Sequence, residues 1–168
     1  MGLIYYLFIA LVFLLGVIQS ALLPNFRLAG NYPDLIVIVA VSWSLLRGVR
    51  HGILVALMGG IALDVLSGAP FGVLTLALVG AVLVSSAGAA SFFRSPMLLA
   101  LLAIVSGTIV YYLISLSLLA LSGHTILWLD IVPHVALPAL VVNTACMAVV
   151  FPIMKFLHVQ TTQPEMEW

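Results

Sequence analysis

Long apolar stretches separated by short polar breaks run along the whole chain. A helix needs about 20 apolar residues to cross the hydrocarbon core of a bilayer, at about 1.5 Å per residue. Four stretches reach that length, and a basic turn around Arg47 and Arg50 divides the remaining region, residues 24–70, into two shorter helices. The pattern predicts an all-α membrane protein, a compact bundle of six transmembrane helices over residues 3–23, 33–50, 52–66, 71–90, 97–121 and 134–157.

The positions of the cations predict the orientation of this bundle. With six spans, Arg47, Arg50, Arg94 and Lys155 fall on the side of the N-terminus, and Arg27 alone falls on the opposite side. Cytoplasmic loops carry an excess of Lys and Arg, so we expect both termini in the cytoplasm. The chain is then a single integral membrane domain over residues 1–168, with a short cytoplasmic tail at 158–168.

Composition narrows the classes of function. Of 168 residues, 65% are hydrophobic and 6% are charged, whereas a soluble domain has about 25% charged residues. A soluble surface is therefore excluded, and so is a nucleic-acid interface, because five scattered cations cannot form a basic face. Cys146 is the single cysteine, which leaves no intramolecular disulfide and no cysteine-based metal site.

The third predicted helix has the most specific pattern. Small or acidic residues recur in it at four-residue intervals, at Gly52, Ala56, Gly60, Asp64 and Gly68. On a helix this spacing forms one stripe that another helix backbone can approach closely, so Asp64 should face protein rather than lipid. Asp64 lies near the outer C-terminus of its helix, where negative charge is unfavourable. Its candidate partners are Arg27, a hydroxyl, a backbone N–H or another chain.

Two shorter motifs flank that stripe. Asp34 follows Pro33 and precedes an apolar run, so we expect its side chain to cap the second helix and to complement the helix dipole. The segment from Ser67 to Gly72 reads Ser-Gly-Ala-Pro-Phe-Gly, a composition that is typical of a turn. We interpret this segment as a tight extracellular connector.

The remaining polar residues predict no catalytic site, metal or cofactor. The four histidines are scattered, whereas zinc needs three or four converging ligands, and no nucleophile elbow or catalytic carboxylate pair is present. Residues 122–133 are too few to span and too apolar for a free loop, so we expect them along the outer interface, with Trp128 at headgroup depth. A partner-docking surface is the alternative for this segment. Asn143 lies in the last span, where its amide needs a partner.

Three of these motifs resemble the rod-shape-determining membrane protein family MreD: Tyr-Pro-Asp-Leu at 32–35, Arg-Gly at 47–48 and Gly-Gly-Ile-Ala-Leu-Asp-Val-Leu-Ser-Gly-Ala-Pro-Phe-Gly at 59–72. The resemblance implies a non-enzymatic scaffold of the elongasome, which directs side-wall peptidoglycan synthesis at the inner membrane of rod-shaped bacteria. It implies MreC as the partner and, through MreC, RodA, a class B penicillin-binding protein and MreB. Membrane lipid surrounds such a scaffold.

The resemblance also selects residues that we expect to matter for the fold or for partner docking. Together with the basic turn and the stripe, they are Pro33, Asp34, Arg47, Gly52, Ala56, Gly60, Asp64, Ser67, Gly68 and Gly72. Small-residue faces on the third and fourth helices would receive the MreC membrane helix. The family is also similar in size and helix count to the substrate-binding subunits of energy-coupling-factor vitamin transporters. Vitamin capture is therefore the alternative function, and it predicts a polar pocket that opens to the outside.

Overall fold

The structure is a computed structural model that describes residues 2–21, 33–89 and 95–161. Within these ranges the chain is helical and contains no strand. The helices are α1 (Gly2–Ala21), α2 (Leu35–Arg47), α3 (Val49–Ser67), α4 (Val73–Ala89), α5 (Pro96–Leu121), the single turn α6 (Trp128–Ile131) and α7 (Leu137–Thr161). The predicted all-α architecture of six long helices is confirmed in the described part of the chain.

Three of the described helical segments are long and apolar enough to cross a membrane, namely Val49–Ser67, Pro96–Leu121 and Val132–Val159. Three other apolar helical stretches are shorter, and they are Leu11–Ser20, Leu35–Arg47 and Val73–Ala87. Six membrane crossings with cytoplasmic termini remain a prediction. Arg27 and Arg94, on which part of the predicted orientation rests, lie outside the described residues.

Helix α2 lies at the centre of the bundle. It packs against α1, α3, α4, α5 and α7, and its residues Ile36, Val37, Ile38, Ala40 and Val41 are all at most 1% exposed. A helix that is apolar on every side is a buried helix, which explains why the sequence of α2 has no polar face. Asp34 immediately precedes this central helix, so the fold places its carboxylate in the interior.

The long helices run between two chemically different ends of the bundle. Val12 and Gly16 of α1 lie beside Gly59 and Ala62 of α3, in that order, so α1 and α3 run in the same direction. The described aspartates, Asp34, Asp64 and Asp130, belong to one end, which we call the acidic end. The described cations, Arg47, Arg50 and Lys155, belong to the opposite end, which we call the basic end.

The segment between α5 and α7 contains two short helical turns. After a turn at Gly123, which has a φ of 88°, the chain forms α6 and then a π-helical turn over Val132–Ala136. In that turn the N–H of Leu137 donates to the carbonyl of Val132. Pro138 has no N–H to donate to the carbonyl of residue 134, so the wider turn accommodates a missing α-helical bond.

Candidate functional site

The stripe of small residues on α3 faces the interior of the bundle. Its buried members are Gly52, Ala56, Gly60 and Asp64. A Cβ added to Gly52 would lie 2.9 Å from the Cα of Ser44 on α2, and one added to Gly60 would lie 2.5 Å from the Cα of Thr75 on α4. These close approaches are the contacts that small residues permit between helices in lipid. Because α2 and α4 occupy the stripe, it offers no room for a partner helix in the assembled bundle.

A second small-residue face, on α4, is also filled from within. Ala77, Ala81 and Ser85 are buried. Helix α5 covers this face, and a Cβ added to its Gly107 would lie 2.5 Å from the hydroxyl oxygen of Ser85. That hydroxyl donates to the carbonyls of Ala81, at 2.6 Å, and Ala103, at 3.0 Å. Both small-residue faces therefore assemble the bundle itself.

Asp64 links the end of α3 to the start of α4. Its side chain is 3% exposed. Atom Oδ2 accepts from the backbone N–H of Gly72 at 2.9 Å, from the N–H of Thr75 at 3.2 Å and from the Thr75 hydroxyl at 2.5 Å. Atom Oδ1 accepts from the N–H of Leu74 at 2.8 Å. Of the candidate partners, the hydroxyl and the backbone N–H groups are present, whereas Arg27 lies outside the described residues.

These bonds explain how an acidic residue is tolerated near the C-terminus of α3. The N–H groups of Leu74 and Thr75 belong to the first turn of α4, where N–H groups have no intrahelical partner and the helix dipole is positive. Asp64 is thus a capping carboxylate for α4 that is supplied by the preceding helix. The favourable dipole of α4 offsets the unfavourable position on α3.

The connector between these helices has the backbone that its sequence predicts. Gly68 and Gly72 have φ values of 69° and 95°, a conformation that costs residues with a Cβ about 1–2 kcal/mol. The Ser67 hydroxyl oxygen accepts from the N–H of Ala69 at 3.3 Å, and Gly72 donates to Asp64. Asp64, Ser67, Gly68 and Gly72 therefore form one structural unit that turns the chain and starts α4.

Asp34 is the centre of a buried polar cluster at the acidic end. Its Oδ2 accepts from the Tyr112 hydroxyl of α5 at 2.9 Å and from Asn143 Nδ2 of α7 at 3.1 Å. Its Oδ1 accepts from Gln19 Nε2 of α1 at 3.5 Å. Asn143 Nδ2 also donates to the Thr108 hydroxyl of α5 at 3.3 Å. We call Gln19, Asp34, Thr108, Tyr112 and Asn143 the Asp34 cluster. Its hydrogen bonds connect α1, α5 and α7 to the start of α2.

The expectation that the Asp34 side chain caps α2 is wrong. Asp34 occupies the N-cap position but makes no capping hydrogen bond from its side chain. The N–H of Ile36 instead donates to Gln19 Oε1 at 3.0 Å, and the N–H of Asp34 donates to Asn143 Oδ1 at 2.8 Å. Two amide side chains from other helices satisfy the start of α2, because the central position of α2 brings them within reach. Asp34 is 5% exposed. Its carboxylate is therefore free to accept hydrogen bonds from the side chains of Gln19, Asn143 and Tyr112.

Arg47 forms a second interhelical contact, at the basic end. Its Nε donates to His158 Nδ1 of α7 at 3.2 Å, and its guanidinium lies 4.9 Å from the ring centroid of Trp43. Gly48, with a φ of 90°, then separates α2 from α3. The predicted basic turn is therefore tied to the end of α7.

A cavity of about 180 Å³ lies between α5 and the segment from α6 to α7. Its walls are almost entirely apolar, and Thr108 and Tyr112 of the Asp34 cluster form part of them. The other lining residues are Ile109, Leu113, Leu116, Trp128, Val132, Ala136, Leu137 and Leu140. Within the described residues, no three His, Cys, Asp or Glu side chains converge as a metal site would require.

Sequence reasoning identified Asp34, Asp64 and Asn143 but not most of their partners. Gln19, Thr75, Thr108 and Tyr112 were not predicted as their partners. The available signal was a polar side chain inside an apolar span, since such groups need a partner in lipid. That signal identifies polar residues that need a partner, but it does not show which of them bond to each other.

Comparison with known proteins gives one match. The model of the family described as rod shape-determining protein MreD matches residues 1–160. Neither the curated proteins nor the solved structures include a match.

Proposed function

Because the chain belongs to the rod shape-determining protein MreD family, we propose that it is a non-catalytic scaffold of the elongasome that binds MreC in the bacterial inner membrane. Membership implies a role in determining rod shape. The observation that carries the proposal is the family match over residues 1–160 of the 168-residue chain. Through MreC, the scaffold helps to direct side-wall peptidoglycan synthesis by RodA and a class B penicillin-binding protein in concert with MreB.

The two buried carboxylates support a structural role. Asp34 and Asp64 are 5% and 3% exposed, and both accept hydrogen bonds from neighbouring helices. A catalytic acid or base must reach its substrate within hydrogen-bond distance. Carboxylates that are enclosed in this way instead fix the relative positions of α1, α2, α3, α4, α5 and α7, as a rigid scaffold requires.

The MreC membrane helix then docks on an outward face, since α2, α4 and α5 fill the small-residue faces. Helix α3 presents one outward apolar face along its length. Its exposed apolar residues include Leu54, Leu57, Met58, Ile61 and Val65. The spacing follows the helical repeat, so these side chains form a continuous strip.

Site-specific photo-cross-linking tests the scaffold proposal. A photoreactive amino acid is placed at Ile61 of α3, Leu113 of α5 and Val149 of α7, which are exposed, in cells that also produce MreC. Val55 of α3, which is 2% exposed, is the matched buried control. We expect a cross-link to MreC from at least one outward position and none from Val55. Absence of any cross-link, together with failure of MreC to copurify, would contradict the proposal.

In this proposal the basic end faces the cytoplasm. Arg47, Arg50 and Lys155 lie there, and an excess of Lys and Arg marks the cytoplasmic side. With six spans, this orientation places both termini in the cytoplasm. To test it, Cys146 is replaced by serine, a cysteine is introduced at Arg50 or at Thr125, and each variant is labelled from either side of the membrane.

The alternative function, vitamin capture, can be distinguished from the scaffold function by the partner that copurifies. A transporter subunit copurifies with an energising ATPase module, whereas the scaffold copurifies with MreC. The cavity beside Tyr112 is apolar, and a polar substrate requires placed polar groups in its pocket. The described residues therefore give no specific support to the transport function.

A further inference from the structure

The cavity between α5 and the segment from α6 to α7 is long rather than compact. On α5 its lining residues extend from Thr108 to Leu116, and on the opposite wall they extend from Val132 to Leu140. A step of this length along a helix corresponds to about 12 Å, so the cavity runs along the helix axes from the middle of α5 towards the acidic end. Its volume is about 180 Å³. An apolar cavity of about 150 Å³ accommodates a molecule as large as benzene and stays dry, so this cavity has room for a ligand.

The chemistry of the walls selects an apolar ligand. Nearly all of the lining surface is apolar, and the two hydroxyl groups of its lining residues are already hydrogen-bonded. The Tyr112 hydroxyl donates to Asp34 Oδ2, and the Thr108 hydroxyl accepts from Asn143 Nδ2. A polar ligand would lose its hydration without gaining partners, whereas an apolar ligand supplies the dispersion contacts that an unfilled cavity lacks.

One side of the cavity opens to the surface that faces lipid. Ile109, Leu113 and Leu137 form this rim and are 52%, 58% and 53% exposed, whereas Leu116, at the base, is 9% exposed. The two helical segments that bear these residues are each long and apolar enough to cross a membrane. The phase outside the opening is therefore the hydrocarbon of the bilayer, and its acyl chains are the apolar groups that can enter.

The π-helical turn forms part of one wall of the cavity. Val132 and Ala136, its first and last residues, both line the cavity, and so does Leu137, which follows it. Such turns are rare and occur frequently at functional sites. The irregular turn therefore marks the same place as the cavity.

We propose that this cavity is a binding site for one acyl chain of a membrane phospholipid from the leaflet at the acidic end. A flexible alkyl chain extends along the helix axes, as the cavity does, whereas a side chain of a neighbouring helix enters across them and fills a compact depression. The acyl chain packs against Thr108 and Tyr112, which belong to the Asp34 cluster. It thereby excludes water from the hydrogen bonds of the cluster, which are stronger in apolar surroundings.

Photo-cross-linking to a lipid tests this site. The probe is a phosphatidylcholine that carries a diazirine in the first half of one acyl chain, and the purified full chain is reconstituted with it in phosphatidylcholine vesicles. Mass spectrometry locates the labelled residues. Leu63 of α3 is the matched reference, because it is a leucine that is 5% exposed and does not line the cavity. Lipid that only surrounds the protein reaches neither leucine. We expect at least about fivefold more label on Leu116 than on Leu63, which corresponds to a preference of about 1 kcal/mol.

Two variants separate occupancy of the cavity from a general change in α7. Ala136→Leu places a larger side chain in the cavity, so labelling of Leu116 should fall to the level of Leu63. Its thermal stability should stay the same or rise, because filling a cavity restores contacts. Ala145→Leu makes the same change at an exposed position of α7 outside the cavity, and it should keep the wild-type labelling.

Three results would overturn the proposal. The first is equal labelling of Leu116 and Leu63 in the wild-type chain, a comparison that does not depend on the folding of any variant. The second is unchanged labelling of Leu116 in Ala136→Leu. The third is loss of the Leu116 label in vesicles that also contain MreC, which would show that a side chain of a partner fills the cavity instead.

Discussion

Asn143 and Asp34 form a reciprocal pair of hydrogen bonds between the second turn of α7 and the start of α2. The N–H of Asp34 donates to Asn143 Oδ1 at 2.8 Å, and Asn143 Nδ2 donates to Asp34 Oδ2 at 3.1 Å. One amide side chain therefore satisfies both a backbone donor and a carboxylate acceptor of the same residue. Asn143 is fully buried, so no water replaces these bonds without opening the bundle.

This pair gives the bundle a defined register. Helices in lipid have little hydrophobic preference for one another, so close packing and interhelical hydrogen bonds decide how they associate. The apolar surface of α7 could pack on α2 in several registers, but only one register aligns Asn143 with Asp34. The Asp34 cluster thus specifies the arrangement of α1, α2, α5 and α7, and the Asp64 unit specifies that of α3 and α4.

Replacing Asn143 by leucine should destabilise the protein by about 1–3 kcal/mol, the typical cost of leaving buried polar groups without partners. Leucine is similar in size but leaves the N–H of Asp34 unpaired and removes a donor from its carboxylate. The free energy of unfolding in detergent micelles measures the effect. Thr144→Val is the matched control on the same helix, because within the described residues the Thr144 hydroxyl bonds to the carbonyl of Leu140 one turn earlier and to no other helix. Equal stability of N143L and the wild-type protein would contradict the role assigned to this pair.

Replacing Asp64 by alanine should destabilise the start of α4 by about 2–3 kcal/mol, because it removes a helix cap and leaves buried donors unpaired. The change removes the acceptor of four hydrogen bonds, and loss of a helix cap alone costs about 0.5–2 kcal/mol. Hydrogen exchange of the Leu74 and Thr75 amides should accelerate before exchange in the rest of the bundle.

A matched variant isolates the capping role of Asp64. Ser67→Ala removes one neighbouring hydroxyl with a single bond to the Ala69 N–H and should cost less than about 1 kcal/mol. Thr75→Val should produce an intermediate loss, because it removes the hydroxyl bond while the backbone bonds persist. The assignment fails if D64A and S67A lose the same stability.

The helices and the interior stripe could be predicted from the sequence because both follow from periodicity. Apolar runs identify helices in lipid, and the four-residue recurrence of Gly52, Ala56 and Gly60 identifies a closely packed face. The Asp64 unit was only partly predictable. Its turn composition and its need for a partner were visible, but the choice of the α4 N-terminus depends on the angle at which Gly68 and Gly72 turn the chain.

The Asp34 cluster could not be assembled from the sequence. Asp34 before an apolar run has the local pattern of an N-cap, and the local rule fails because α2 is enclosed by other helices. Gln19 and Asn143 are 15 residues before and 109 residues after Asp34 in the chain. Only the packing order of the helices brings them to the same helix terminus. Residues that are so far apart in the chain show no regular spacing from which their pairing could be predicted.

Gly60→Ala should destabilise the bundle by about 1–3 kcal/mol, as overpacking does, although alanine favours a helix over glycine. The added methyl group would lie 2.5 Å from the backbone Cα of Thr75, so α3 and α4 must separate. Gly80→Ala is the matched control. Its methyl group would meet the terminal Cδ1 of Ile114, a flexible side-chain end that can move aside. Thermal unfolding should therefore rank G60A well below G80A, and the reverse order would refute the close approach of α3 and α4.

Tyr112→Phe tests whether the Asp34 cluster acts as a connected network. Loss of the hydroxyl that donates to Asp34 Oδ2 at 2.9 Å should cost about 1 kcal/mol, the usual net contribution of one hydrogen bond. In a double-mutant cycle with Asp34→Asn, we expect a coupling energy of about 0.5–2 kcal/mol, because contacting members of one network are not additive. The cycle is read from free energies of unfolding of the four proteins under one detergent condition. Strict additivity would mean that the tyrosine hydroxyl and the carboxylate do not interact, and Tyr112 would then not belong to the Asp34 cluster.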